Sequence, residues 1–329
     1  MHHLFTTVLM ACVLGTAVAA TPGDPRPRAA FDIEGHRGAR GLAPENTLAG
    51  FRKALDIGVT VLETDIAITR DLVPVISHDP VLNPDLVRDR DGRWLERPGP
   101  PIHALTRADL AQFDIGRVNP ASAYARDFPS QRAVDGERFP TLAELLQLVG
   151  ESGKPVRLNL EIKMTPDNAG ATPDAATFAR VVLAAVDEAG IRKRVIVQGF
   201  DWRPLLELKR MAPEIETACL TIESRQMNTV APGPDGRSPW HAGLALRDHD
   251  GSVPALVRAA GCATWSPSRQ DLTRALVDEA HALGLRVIPW TVNDEAEMRR
   301  LIDLGVDGII TDYPDRLRKA VQAKGLPLP

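Results

Sequence analysis

Two strand-like segments of the chain have a charged face opposite an apolar one, and this pattern limits the folds open to it. The segments are VTVLETDIAIT at 59–69 and VRLNLEIK at 156–163. Because side chains alternate across a strand, polar residues fall on one face of each segment and aliphatic residues on the other. In a parallel barrel the apolar face packs on helices, and charged side chains at the carboxyl ends of the strands face a ligand. We therefore expect these residues at such a rim: Glu63, Asp65, Glu161 and Lys163.

Two histidines stand directly after short apolar runs, where strands should end. His36 comes just after the run AFDI, and His78 comes just after VPVI. Loops at strand ends carry chemistry on a rigid frame, and an imidazole exchanges protons near neutral pH. A solvated or salt-bridged strand face would explain the acids alone, and a structural role would explain either histidine alone. Together, two histidines around a strand with paired acids favour a proton-transfer site.

Short apolar strands alternate with helical patterns from residue 31 onward, which is typical of a parallel sheet in an α/β fold. Three helical patterns end at Gly58, Gly190 and Gly284, where glycine suits a left-handed cap. A (β/α)8 TIM-type barrel is the predicted fold, and an open Rossmann-type sheet is the alternative, although no Gly-rich dinucleotide loop follows a strand. Nine strands are predicted for eight barrel positions, so one must be an extra or edge strand. They are 31–35, 60–67, 73–77, 156–162, 194–198, 215–220, 263–266, 286–290 and 308–311.

The region from about 80 to 139 interrupts this alternation. It is rich in Pro, Gly, Arg and Asp, with one helical signal near 106–113. Because sixty residues are too many for a plain connection, we predict a long insertion over the rim, after the third strand. It could help to select substrate, or it could be an ordered surface excursion without a role. The length 29–325 suits a single barrel domain, and a second long loop, 223–250, could also border the site.

The first twenty residues predict a secretory signal peptide. Residues 1–20 contain no acidic residue, lysine or arginine and end in the small-x-small sequence Ala17-Val18-Ala19. The mature chain is therefore expected in the periplasm or outside the cell. No later apolar run is long enough to span a membrane, so no stable membrane insertion is expected after cleavage.

The net charge of the mature chain bears on what it binds, and its cysteines bear on whether it contains a disulfide. A formal net charge of −4 is not that of a nucleic-acid-binding protein, so a small-molecule substrate is expected. Cys219 and Cys262 remain after cleavage, and in an exported protein they could pair or be buried as thiols. The sequence gives no indication of the oligomeric state.

Five blocks of sequence occur in the order found in a known enzyme family. They are HRGARGLAPENTLAGF, LETDIAITRDLVPVISHD, LNLEIK, VIPWTVND and GVDGIITDYPDRL. Over residues 32–315 the chain resembles the glycerophosphodiester phosphodiesterase family of the phospholipase C-like phosphodiesterase superfamily. The resemblance implies a (β/α)8 barrel, a divalent cation (Ca²⁺ or Mg²⁺), and hydrolysis of glycerophosphodiesters to glycerol 3-phosphate and the head-group alcohol. After HDP the family often shows L-x-R-T-T, whereas this chain reads VLNPDLVRDRDG, which leaves the head-group preference open.

The resemblance gives the acids and the histidines roles in the reaction. Glu63, Asp65 and Glu161 match metal ligands, and a hard cation prefers such carboxylate oxygens. His36 and His78 match the acid/base pair, and which of them is the base stays open. The resemblance also implies that a glycerol hydroxyl attacks first, giving a cyclic phosphate that water then opens.

Three further residues match positions that contact the substrate. Arg37 and Lys163 match phosphate-contacting residues, and their positive charge would stabilise the phosphate as the nucleophile adds. Trp290 matches a residue that lines the glycerol side of the substrate.

Several polar residues near the predicted rim have open roles. Asp32 and Glu34 share the strand face of His36; a salt bridge is expected for Asp32 and a supporting role in the site for Glu34. Asp312 could position a loop or a cation, and the stretch 45–47 is expected to begin the first helix and supply its cap. Four other histidines are expected on loops or helix surfaces: His103, His241, His249 and His281.

Three functions follow from these observations. The preferred one is hydrolysis of glycerophosphodiesters. A second, within the same superfamily, is a phospholipase D-like reaction on lysophospholipid or sphingolipid, which would need an apolar surface around the rim. The third is a non-catalytic binding barrel, and the two histidines and three acids argue against it, because a binding protein has no need of proton-transfer residues.

Overall fold

Nine strands are present in the computed structural model, which describes residues 30–167 and 170–328, and each of the nine predicted strands is confirmed. The predicted signal peptide, 1–20, lies outside the described residues. The strands are β1 (Asp32–Gly35), β2 (Val61–Ile68), β3 (Pro74–Ile76), β4 (Arg157–Ile162), β5 (Val195–Gly199), β6 (Glu216–Thr221), β7 (Thr264–Pro267), β8 (Arg286–Val287) and β9 (Gly308–Thr311).

Eight of these strands run parallel and form the wall of a barrel, in the order β8-β7-β6-β5-β4-β2-β1-β9. The two outer strands are joined by backbone hydrogen bonds from Asp307 N to Val287 O (2.9 Å) and from Ile310 N to Pro289 O (3.0 Å). The predicted (β/α)8 barrel is therefore confirmed. β3 pairs antiparallel with β2 and stands outside the wall, so it is the extra strand that the sequence left unidentified.

Apart from those in the insertion, the helices lie between the strands along the chain and cover the outside of the barrel. The three helices predicted to end at glycine are confirmed as α1 (Leu48–Ile57), α5 (Ala175–Glu188) and α8 (Arg274–Ala282). The Thr47 side chain accepts a hydrogen bond from Gly50 N (3.0 Å) and begins α1, which ends at Gly58 with φ 89°, a conformation that favours glycine. No helix within the described ranges has the length and hydrophobicity that crossing a membrane requires. The helices are α1 (Leu48–Ile57), α2 (Arg107–Leu110), α3 (Ala123–Asp127), α4 (Leu142–Glu151), α5 (Ala175–Glu188), α6 (Arg203–Met211), α7 (Val253–Ala259), α8 (Arg274–Ala282), α9 (Glu295–Leu304) and α10 (Pro314–Ala323).

The main hydrophobic core lies between the strands and the helices. Leu62 and Ile66 of β2 and Leu160 of β4 point outward and are fully buried against this layer. Each such side chain contributes about 1.5–3 kcal/mol when it leaves water. Aliphatic residues therefore hold the outer faces of β2 and β4, which leaves their charged faces to the interior.

A disulfide joins Cys219 of β6 to Cys262, which precedes β7, with the two Cα atoms 6.0 Å apart. Of the two alternatives left by the sequence, pairing is the one observed. The bond closes a chain segment with a sequence separation of 43 residues. By the loop-entropy argument, a closure of this length stabilises the fold by about 4 kcal/mol.

The insertion forms an ordered layer beside β3. The helical signal near 106–113 corresponds to α2, which begins with a capping box at Thr106. Arg88 and Asp114 bind each other through both backbone and side chain, the latter with Arg88 Nη2 2.8 Å from Asp114 Oδ2. A second, smaller hydrophobic cluster joins this layer to β2 and β3. Its buried members are Ala67, Val75, Leu82, Val87, Ile102, Leu110, Ile115 and Phe139.

Candidate active site

The lower part of the barrel interior holds a buried salt bridge. The Asp32 carboxylate accepts hydrogen bonds from Arg157 Nη2 (2.6 Å) and forms an ion pair with Arg286 Nη2 (2.6 Å). The expected structural role of Asp32 is confirmed. A paired charge can stay buried at this depth, whereas an unpaired one could not.

Above it, a chain of hydrogen bonds runs from Glu34 to the rim. Asn159 Nδ2 donates to Glu34 Oε2 (2.9 Å) and to Gln198 Oε1 (3.0 Å), and Gln198 Nε2 donates to Glu63 Oε1 (3.0 Å). Burial, together with the nearby Asp32 charge, raises the pKa of Glu34 to about 7. Glu34 is therefore linked to Glu63 through the side-chain amides of Asn159 and Gln198. These hydrogen bonds fix the orientation of the amides, because an amide nitrogen only donates and an amide oxygen only accepts.

Three acids meet at the carboxyl end of β2 and β4, and we call Glu63, Asp65 and Glu161 the carboxylate cluster. Asp65 and Glu161 are direct partners in the parallel register, and each acid offers an oxygen within 4.8 Å of the others. Burial raises the pKa of Glu63 well above its usual value, and the neighbouring acids add to this. Burial acts in the same direction on Asp65, but Arg37 and Lys163 outweigh it and hold the pKa of Asp65 low.

Two cations stand beside the carboxylate cluster. Lys163 Nζ donates to Glu161 Oε1 (2.6 Å) and lies 3.6 Å from Asp65 Oδ1. Arg37 Nη1 donates to Glu45 Oε1 (2.7 Å), while Arg37 Nε lies 3.2 Å from Asp65 Oδ2. Within the described part of the chain, Arg37 Nε is buried and makes no hydrogen bond.

The turn after β1 places Arg37 in this position. Arg37 and Gly38 both have positive φ, 49° and 86°, and a Cβ on Gly38 would lie 2.7 Å from the backbone of Gly50. Only glycine fits so close an approach. The turn aims the Arg37 amide at Glu63, whose Oε2 accepts a hydrogen bond from Arg37 N (2.9 Å).

His36 is buried at the end of β1 and is held by Asp312, which follows β9. His36 Nδ1 lies 2.7 Å from Asp312 Oδ1, and Asp312 also binds Arg40 (Nε, 2.7 Å) and Asn293 (Nδ2, 2.6 Å). Because a carboxylate only accepts, Nδ1 is assigned the proton and Nε2 keeps a lone pair. Burial, together with the Arg40 charge, lowers the pKa of His36 to about 4 although Asp312 opposes this. The sequence left Asp312 to position either a loop or a cation, and its contacts with His36, Arg40 and Asn293 support the first, because all three residues lie in loops.

His78 follows β3 and is half-buried, with local partners. Its Nδ1 lies 2.9 Å from Asp79 Oδ1, and Asn83 Nδ2 donates to Asp79 Oδ2 (2.7 Å). Ser77 N donates to Asp65 O (3.0 Å), which fixes this segment against β2. The extra strand thus brings the second histidine to the same rim as the first.

A cavity of about 230 Å³ opens between these groups, and it is lined by both histidines, Arg37, Lys163 and Trp290. Its charged lining stands mainly at β1, β2 and β4, whereas the apolar residues Phe200, Leu220 and Trp290 stand at β5, β6 and β8. The Phe200 and Trp290 rings meet edge to face at 5.1 Å, and Trp290 Nε1 donates to Ser266 O (2.9 Å). The cavity therefore offers one charged side and one apolar side.

The structure adds residues that the sequence reasoning missed and corrects one expectation. Gln198 and Phe200 line the cavity. Their signal was the strand VIVQGF, which by alternation sends both side chains inward. His241 lies in a loop, as expected, but it is not a surface residue, because its ring is buried and stacks on Trp202 at 4.2 Å, away from the cavity lining.

The stretch 45–47 does more than begin α1. Thr47 is the cap, as expected. Asn46 instead turns into the site and donates from Nδ2 to Asp65 Oδ2 (2.8 Å), and Glu45 binds Arg37. The loop before α1 is therefore part of the site.

A parallel barrel that gathers acids, imidazoles and cations around one cavity at its carboxyl end defines a barrel enzyme for an anionic substrate. The model of the glycerophosphoryl diester phosphodiesterase family matches residues 36–316. The chain belongs to this family, which confirms the resemblance seen in the sequence and the prediction of a glycerophosphodiester phosphodiesterase.

Individual relatives agree with this assignment. A glycerophosphodiester phosphodiesterase of Caldanaerobacter subterraneus is 28% identical over 290 residues, which cover 88% of this chain and 97% of that protein. A crystal structure from Silicibacter pomeroyi, assigned as a glycerophosphoryl diester phosphodiesterase, is 36% identical with a TM-score of 0.79 and covers 92% of this chain and 97% of its own. The rat lysophospholipase D is 25% identical over 308 residues, covering 86% of this chain and 84% of that protein.

Proposed function

We propose that this enzyme hydrolyses glycerophosphodiesters to glycerol 3-phosphate and the head-group alcohol with a divalent cation, with His36 as general base and His78 as general acid. The observation that carries the proposal is the single cavity of about 230 Å³, which both histidines line together with Arg37, Lys163 and members of the carboxylate cluster.

The carboxylate cluster fits a hard cation such as Ca²⁺ or Mg²⁺. All its ligand atoms are carboxylate oxygens, and within the described residues the buried Asp65 Oδ1 accepts no hydrogen bond. Glu63, Asp65 and Glu161 would hold the ion. When bound there, a divalent cation supplies Lewis-acid polarisation of a phosphoryl oxygen.

Arg37 and Lys163 would bind the phosphate of the substrate. Arg37 lines the cavity, so its guanidinium can donate to a phosphate oxygen there. Lys163 Nζ, beside Glu161, adds a second positive charge. Both charges stabilise the negative charge that grows on the phosphate as the nucleophile adds.

The two histidines differ in what they can do with a proton. His36 Nε2 carries a free lone pair, because Asp312 holds the proton on Nδ1, so His36 can accept the proton of the attacking glycerol hydroxyl. Loss of the head-group alcohol then leaves a cyclic phosphate, which water opens to glycerol 3-phosphate. His78 is likewise bound to a carboxylate, Asp79, through Nδ1, so in its doubly protonated form the ring would donate from Nε2 to the departing alcohol. Phe200 and Trp290 would pack against the carbon atoms of the glycerol.

A lysophospholipase D reaction is the second candidate. It is supported by the rat relative of that name and by the apolar wall of the cavity, which includes Phe200, Leu220 and Trp290. The same phosphate, cation and histidines would serve either substrate.

The test measures release of glycerol 3-phosphate from glycerophosphocholine before and after EDTA treatment, and after return of Ca²⁺ or Mg²⁺. We expect turnover to fall to background with EDTA and to recover with one of the ions. Cleavage of lysophosphatidylcholine alone would favour the second candidate, and full turnover in EDTA would contradict the role of the cation.

A pair of variants locates the cation. Glu161→Gln should weaken calorimetric binding of Ca²⁺ or Mg²⁺ by at least about tenfold, because a neutral amide replaces a charged ligand. Glu223→Gln is the matched control, since Glu223 follows β6 and does not line the cavity. Equal ion binding in the two variants would place the cation elsewhere.

For location, we infer export to the periplasm or the medium. The signal peptide predicted at 1–20 and the Cys219–Cys262 disulfide support this, because disulfides persist in oxidising compartments. Mass spectrometry of the protein from the periplasm or medium should find an N-terminus close to residue 21. An intact N-terminus on a cytoplasmic protein would contradict export.

A further inference from the structure

One short segment of the insertion touches the turn that carries Arg37. Residues 122–131 form this docking segment, which includes α3. The Tyr124 hydroxyl donates to Glu45 and accepts from Arg40 Nη1 (3.2 Å). A phenol between a carboxylate and a guanidinium is fixed in both its donating and its accepting role.

Glu45 links Tyr124 to the arginine of the site. The Glu45 carboxylate is buried; one oxygen accepts from Tyr124 and the other from Arg37 Nη1 (2.7 Å). A buried carboxylate is stabilised by its hydrogen-bond partners. Movement of Tyr124 would therefore remove one hydrogen bond of Glu45 and weaken the hydrogen bond between Glu45 and Arg37. The orientation of the Arg37 guanidinium, with Nε toward Asp65, depends on this hydrogen bond between Arg37 and Glu45.

A second contact joins the docking segment to the histidine side. The Arg40 guanidinium lies over the Phe128 ring, 4.6 Å from its centroid, and Gln131 Nε2 donates to Arg40 O (2.8 Å). Arg40 in turn holds Asp312, which holds His36. The docking segment is thus linked to Arg37 through Glu45 and to His36 through Arg40 and Asp312.

We propose that the docking segment is a positioning element of the active site, in which Tyr124 aligns Arg37 through Glu45. The inference rests on the proposed role of Arg37 in binding phosphate. It gives the insertion a part in the reaction, in place of the surface excursion that the sequence also allowed.

A double-mutant cycle tests the link. Tyr124→Phe keeps the ring, which packs 5.0 Å from Phe128, and removes only the hydroxyl. We expect kcat/KM for glycerophosphocholine to fall about tenfold, with a similar loss in calorimetric affinity for glycerol 3-phosphate. In an Arg37→Gln background the same change should cost less than about twofold, because the residue that Tyr124 positions is already gone.

Trp94→Phe is the matched control. It is also an aromatic change in the insertion, but Trp94 contacts Arg88, and no part of it lines the cavity. It should leave kcat/KM and product affinity unchanged, and all variants should keep the thermal midpoint of the wild type within a few degrees.

The outcomes distinguish a failure of the positioning role of Tyr124 from a failure of the proposed role of Arg37. A strong loss in Arg37→Gln with no loss in Tyr124→Phe, or equal losses from Tyr124→Phe in both backgrounds, would overturn the positioning role and leave the proposed function intact. Near-wild-type activity in Arg37→Gln would overturn the role of Arg37 itself and the positioning with it.

Discussion

The two histidines of the cavity are held in opposite ways. His36 ends a strand of the barrel wall, its side chain is 11% exposed, and its partner Asp312 lies 276 residues further along the chain. His78 follows the antiparallel strand outside the wall, its side chain is 33% exposed, and its partner Asp79 is the next residue. One histidine is therefore oriented by closure of the barrel, and the other by a local turn.

This difference suits His36 to the role of base and His78 to the role of acid. A base must hold one tautomer and stay uncharged before it reacts, and burial with a fixed acceptor on Nδ1 favours this for His36. An acid must regain its proton after each cycle, and a half-exposed ring such as His78 can exchange with water.

The largest effect is expected from removing either imidazole. His36→Ala and His78→Ala should each lower kcat by about 10² to 10⁴. Folding should persist, since Asp312 keeps Arg40 and Asn293 as partners after loss of His36. Turnover measured beside circular dichroism checks both statements, and near-wild-type turnover in either variant would remove that histidine from the reaction.

Replacing the partners should produce unequal effects. Asp312→Asn puts an amide where His36 needs an acceptor, so we expect kcat to fall about 10² as the wrong tautomer is favoured. Asp79→Asn should cost no more than about tenfold, because water can replace a half-exposed partner. Steady-state kinetics of the two variants, with ¹⁵N NMR of the imidazoles, makes the comparison. Equal losses would show that the two histidines do not differ in how they are held.

A third histidine, buried outside the cavity, provides the smallest effect. His241 stacks on Trp202, its two ring nitrogens make no hydrogen bond within the described residues, and burial lowers its pKa from 6.5 to about 4. The unfolded chain therefore takes up a proton at this residue first, and stability is lost as pH falls from about 6.5 toward 4, by up to about 3 kcal/mol.

His241→Phe should make the loss of stability over that pH range shallower and leave kcat within about twofold. Urea unfolding at several pH values measures the first effect. An unchanged pH dependence of stability would mean that the His241 ring is not its source. A large fall in kcat would mean that His241 affects the reaction although it lies outside the cavity.

Local alternation was enough to predict most of the charged rim. The period of two within β2 and β4 depends only on neighbouring residues, so Glu63, Asp65 and Glu161 could be placed on one face before any fold was known. The same rule places Gln198 of β5 on the inner face. What alternation cannot give is the partner of a side chain, and Asp312 could be paired with His36 only once the barrel had closed.

The extra strand had a signal in the length of its connection. β2 ends at Ile68 and β3 begins at Pro74, and a parallel crossover needs a dozen or more residues. So short a link requires an antiparallel partner. By contrast, no local pattern marks the contact of Tyr124 with Glu45, because the insertion docks on the loop before α1 by tertiary packing alone.

The central claim is that His36 takes the proton from the nucleophile and His78 gives one to the leaving group. Its most direct test compares glycerophosphocholine with a glycerol phosphodiester of 4-nitrophenol, whose phenolate leaves without protonation. We predict that His78→Ala recovers most of its lost rate, about 10² or more, on the nitrophenyl substrate, while His36→Ala stays equally impaired on both. Recovery by His36→Ala, or no recovery by His78→Ala, would contradict the assignment.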